Sequence, residues 1–70
     1  MSVAEKRQEN LDLGRPGNYG LPWSDDGRSQ VAKGFEDGQP IDELAIALER
    51  TQGAIRAELI RQGLLSPDFQ

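Results

Sequence analysis

The sequence predicts an all-α fold: a small three-helix domain of helix-turn-helix shape behind a flexible N-terminal tail. Three observations carry that prediction. Between Trp23 and Leu65 the apolar residues recur at helical spacing. The segments so marked open on a capping residue or a proline and close on glycine or a short polar join. Ahead of them, Gly14, Pro16, Gly17, Gly20 and Pro22 crowd a stretch that interrupts any helix.

In chain order, Ser2 to Leu13 can form a short helix capped by Ser2, but a dozen residues are marginal as an isolated helix in water. Residues 1–20 are therefore expected to be a tail, disordered or ordered by a partner. The domain is expected over 21–65, with 66–70 as a C-terminal tail. Its first helix starts at Ser24, whose hydroxyl and the following Asp25 and Asp26 suit the positive helix end. Val31 and Phe35 share a face with Ala32 beside them, and Gly38 closes the helix. Gly27 and Gly34 weaken it by up to ~1 kcal/mol each relative to alanine, so it needs tertiary support.

The second helix opens at Gln39-Pro40-Ile41, and Ile41, Leu44, Ala45 and Leu48 form its apolar stripe. Helicity is expected to stop near Glu49–Arg50. Thr51 then caps a third helix with Ala54, Ile55 and Leu59 pointing inward and Gly63 at its end. The tight Glu49-Arg50-Thr51 join is the coarse mark of a helix-turn-helix. The expected core is Trp23, Val31, Phe35, Ile41, Leu44, Ala45, Leu48, Ala54, Ile55, Leu59 and Leu64.

Composition narrows the function classes. Seventy residues make one domain at most. The chain has no Cys and no His, so disulfides, thiolate nucleophiles and the usual zinc and iron ligand sets are missing. No serine has a base at readable spacing, and neither an enzyme nor a cofactor or metal is expected. Asp25-Asp26 and Asp42-Glu43 read as helix starts, not metal ligands. No apolar run reaches the ~18–20 residues of a membrane span, and the N-terminus lacks the apolar stretch of a signal peptide, so a cytoplasmic protein is expected. The segment Gly14-Arg15-Pro16-Gly17-Asn18-Tyr19-Gly20 has no preceding strand and no following Lys-Ser/Thr, and it is not a phosphate loop.

Trp23-Ser24, Val31, Phe35, Gly38, Ile41, Glu43-Leu44-Ala45, Leu48, Arg50-Thr51, Ala54-Ile55, Leu59 and Gly63-Leu64 together resemble a trihelical bacterial and phage family. Its pattern runs from Trp-Ser/Thr to Arg-Ser/Thr-x-x-Ala-Ile-x-x-Arg-Leu-x-x-x-Gly-Leu, and its shape is Myb/SANT-like or sigma-region-like. The resemblance covers residues 23–65 and implies a helix-turn-helix fold. The departures are Glu58 where the family carries arginine, Pro40 in place of serine, and Gly27 at an often acidic position.

Charge then chooses between two functions. The formal net charge is −4, from 8 Lys+Arg against 12 Asp+Glu. Residues 41–49 carry Asp42, Glu43 and Glu49 against no base, whereas 50–62 carry Arg50, Arg56 and Arg61 against Glu58. A carboxylate facing phosphate is repelled, and a dipolar surface suits a protein partner better than a duplex. In size, acidity and tail the chain resembles small phage-encoded regulators that bind bacterial RNA polymerase, which implies a polymerase subunit as partner and the bacterial host cytoplasm as location. The alternative is a DNA reader using residues 51–62, with Gln52 and Arg56 at base edges and Arg50 and Arg61 on phosphate. The expected partner-binding set is Arg50, Gln52, Arg56, Ile60, Arg61 and Leu65, with Phe69 beside Leu65, and Arg15 and Tyr19 in the tail.

Overall fold

Three of the helices begin on a hydroxyl, as their sequences require. Ser2 accepts the Glu5 N–H at 3.2 Å, Ser24 that of Gly27 at 3.0 Å, and Thr51 that of Ala54 at 3.1 Å. The computed structural model describes residues 2–67 and is all-helical over them: α1 (Val3–Asp12), α2 (Asp25–Glu36), α3 (Ile41–Ala47) and α4 (Gln52–Arg61). Phe69, expected beside Leu65, lies outside the described residues. The helices number four rather than three, because the segment expected to be a flexible tail holds α1 and a loop hydrogen-bonded to the rest.

All four helices end in the same way. The residue after each C-cap takes a left-handed backbone, and its N–H and the next one bond back to carbonyls of the last turn. In α2 these bonds are Gly38 to Phe35 and Gln39 to Gly34, and in α4 Gly63 to Ile60 and Leu64 to Leu59. Glycine fills the left-handed position at Gly14, Gly38 and Gly63. After α3 the position falls to Glu49, at φ 55°.

The core is small. Val31, Leu44, Ala45, Ile55 and Leu59 are buried, and Trp23, Phe35, Ile41, Leu48, Leu64 and Leu65 pack around them half-buried. Ala54, expected inside, is half-buried. Gly34 explains why a helix-weakening residue sits in α2. A Cβ there would lie 2.5 Å from a Leu44 methyl and 2.6 Å from Gln39 Oε1, so glycine lets α2 and α3 close together. Helices α2, α3 and α4 pack on one another, α3 against α4 most extensively, whereas α1 has no close backbone approach to any of them. No helix among the described residues is long and apolar enough to cross a membrane.

Candidate functional site: the α3–α4 turn and the groove beside it

The turn between α3 and α4 is where the N-terminal segment attaches. Arg7 on α1 donates from Nη2 to both Glu49 oxygens at 2.9 Å and from Nη1 to Asn18 Oδ1 at 2.7 Å. Asn18 in turn donates from its backbone N–H to the Glu49 carbonyl at 2.9 Å and from Nδ2 to the Leu48 carbonyl at 2.8 Å. Asn10, fully buried, ties α1 to its own loop by donating to the carbonyls of Gly17 at 3.0 Å and Tyr19 at 2.9 Å. The loop is thus held by polar bonds from the Arg7, Asn10 and Asn18 side chains and the Asn18 N–H.

Arg50 completes the attachment. Its Nη1 donates to the carbonyls of Asn18 at 3.1 Å and Leu21 at 2.6 Å, and its Nη2 to that of Pro22 at 3.1 Å. The guanidinium carbon sits 4.2 Å from the centre of the Trp23 ring, a cation–π distance. Burial lowers the Arg50 pKa, and the charge of Glu58 opposes that shift. Arg50, expected as a partner contact, is bonded across the entry to the helical domain.

On α4 the acidic side chain at position 58 turns inward. Glu58 is only 4% exposed. Its oxygens accept from Arg61 Nε at 3.0 Å and Nη2 at 2.7 Å, and from Gln62 Nε2 at 2.8 Å. Arg28 Nε on α2 stands 4.0 Å away, an ion-pair distance too long for a hydrogen bond. The Arg61 hydrogen bond, with help from Gln62 and the nearby cations, outweighs burial and holds the Glu58 carboxyl below its ordinary value. Arg61 is correspondingly raised by that bond and by the Glu58 charge.

Of the remaining expected residues, Gln52, Arg56 and Ile60 stand four apart along one face of α4. Gln52 is exposed at the start of α4, and Arg56 is half-buried and makes no hydrogen bond or ion pair among the described residues. Ile60 is half-buried at the edge of α4. Leu65, expected as an exposed apolar contact, packs against the core. Arg15 stacks over Tyr19 at 5.1 Å, both exposed on the loop, and no such contact among the described residues joins them to Arg56, Ile60 or Arg61.

A groove of about 420 Å³ runs beside the turn, walled by Leu11 and Pro16 on one side and Asp42, Ala45 and Ile46 on the other, with Gln52 at one end. Ile46 is 80% exposed, the most exposed large apolar side chain among the described residues. It lies two residues past the inward Leu44, about 200° round the helix, so the periodicity of α3 places it outside. That offset was readable in the sequence. Arg7, Asn18 and Glu49 carried a weaker signal: α3 lacks the terminal glycine that Gly38 and Gly63 supply to α2 and α4.

No group of three or more His, Cys, Asp or Glu among the described residues converges as a metal site. Comparison with protein-family models, with curated proteins and with solved structures finds no match to this chain.

Proposed function

We propose that this chain is a small acidic regulator that acts by binding a protein of the transcription machinery, inhibiting or modulating it, rather than by reading duplex DNA. One observation supports this most: of the arginines that a reading helix would turn to phosphate, Arg50 is held by three carbonyls and Arg61 by Glu58. Only Arg56 is left without an internal partner among the described residues. Duplex affinity comes largely from neutralising phosphates, with a salt dependence of about 0.9 per phosphate in log–log slope, and one free cation gives little of either. The exposed Asp42 and Glu43 on α3 oppose a duplex further. The partner class follows the resemblance in type to small phage-encoded regulators, which makes bacterial RNA polymerase the first partner to test.

The inward turn of Glu58 favours the alternative reading, because the carboxylate that sequence reasoning set against phosphate is buried and neutralised. The two readings separate in one experiment. The immobilised chain is offered purified bacterial RNA polymerase, and in parallel a mixed duplex pool at ~100 mM salt, a concentration at which phosphate contacts still register. Polymerase retention with no duplex shift is expected. A micromolar duplex shift that falls steeply with salt and is lost in Arg56→Glu overturns the proposal in favour of the DNA reader.

A further inference from the structure

We infer that the groove between α1 and α3 is a docking site for a cationic amphipathic helix of another protein. Its apolar side chains would seat between Leu11 and Ile46, and its basic side chains would pair with Asp42. This deepens the protein-binding reading and rests on it.

The apolar part of the site has no folding role that explains its exposure. Leu11 is 52% exposed and Ile46 80%, yet both line one groove together with Pro16 and Ala45. A groove of this kind takes helix side chains at i, i+3, i+4 and i+7. The charge around it fixes the partner's sign. Asp42 is one helical turn before Ile46 on α3, hence on the same face. Its carboxylate accepts only the Glu43 N–H, at 3.0 Å, and forms no ion pair among the described residues. Glu43 beside it is exposed and acidic. Of the nearby cations, Arg50, which itself lines the groove, is engaged by carbonyls and Trp23, Arg7 by Glu49 and Asn18, and Arg15, next to Pro16, stacks over Tyr19. The open rim is therefore acidic around an apolar floor, complementary to lysine or arginine flanking leucine-like residues. An acidic helix meets like charge, and a second copy of this chain, at net −4, brings the same sign.

The test uses the full chain and a labelled Leu/Lys peptide with leucines at i, i+3, i+4 and i+7. A scrambled peptide of the same composition and a Leu/Glu peptide serve as controls. The Leu/Lys helix is expected to bind roughly tenfold or more tighter than either control, with amide shifts clustered at Leu11, Ala45 and Ile46. Ile46→Ala is expected to weaken it roughly fivefold or more and Asp42→Asn roughly threefold, with helicity unaltered because both side chains are exposed. Equal binding of the scrambled peptide, indifference to both variants, or shifts centred on Arg56 overturn the inference. So does self-association of the chain that Ile46→Ala abolishes, which gives the groove to a second copy. Polymerase capture by the same proteins keeps the two proposals apart. Equal capture by wild type and both variants, with no peptide in the groove, leaves the regulator reading standing and the groove fallen. Groove binding of the peptide without polymerase capture does the reverse.

Discussion

Glu58 shows how a single charge can be assigned the wrong surroundings. Placed on a helix surface it repels phosphate; placed inside, it is an acceptor shared by Arg61 and Gln62, with Arg28 at 4.0 Å. The spacing does separate the two cases: Glu58 stands four residues after Ala54 and three after Ile55, within the arc of the inward face, and only its charge argues for the surface. The pH consequence has a definite sign. A carboxyl whose folded pKa lies below its unfolded one contributes stability that is complete above the ordinary carboxylate range, near pH 4.3, and is lost as pH falls through the folded value. Glu58→Gln removes that contribution. The variant is expected to melt at lower temperature than wild type at pH 7 and to converge on it as pH falls from about 5 towards 2. Thermal melts by circular dichroism at several pH values check this. A constant gap between the two proteins down to the lowest pH would mean that Glu58 titration contributes nothing.

At the scale of elements, the four helix ends were largely legible and the docking of α1 was not. Capping by Ser2, Ser24 and Thr51 and closure at Gly38 and Gly63 depend on neighbours within a few residues, and the sequence displays them. The attachment of α1 depends on Arg7 meeting Glu49, 42 positions away, and on Asn18 meeting the Leu48 carbonyl, 30 away. Polar contacts of that separation leave no periodicity. A segment fixed by them looks like a tail because its own face is poorly apolar, with Val3, Leu11 and Leu13 exposed. Glu49 is the joint of this arrangement and opposes two effects of similar size. Its left-handed backbone costs a non-glycine residue about 1–2 kcal/mol. Its pair with Arg7, 32% and 44% exposed, returns about 0–1 kcal/mol. Glu49→Gly is therefore expected to leave global stability equal or higher by up to ~1 kcal/mol, while amides of α1 lose their exchange protection. Arg7→Ala, which frees α1 without relieving the backbone, is expected to lower both. Urea melts with amide exchange distinguish them. If α1 keeps its protection in Glu49→Gly, the segment is held by something other than this pair.

For the whole molecule the deciding magnitude is the size of the core. Among the described residues five apolar side chains are buried, of which Ala45 is small, and a core of this scale rarely supplies more than ~3–5 kcal/mol of net stability. Truncating one fully buried leucine costs about 2–5 kcal/mol, so the two quantities are equal within their range. Leu59, fully buried on α4 between the helices, is the sharpest case. Leu59→Ala is expected to abolish a cooperative melt at 25 °C, read by the ellipticity of the helices and by Trp23 fluorescence. Leu11→Ala and Ile46→Ala remove similar side chains from exposed sites and are expected to change stability by no more than about 0.5 kcal/mol. A Leu59→Ala protein that melts like wild type would show that the polar attachments through Arg7, Asn18 and Arg50 supply most of the stability. In a protein with so little apolar surface to bury, leaving Leu11 and Ile46 outside is a choice the fold alone does not require. If their removal leaves folding intact while weakening the Leu/Lys peptide, the groove they line is what retains them.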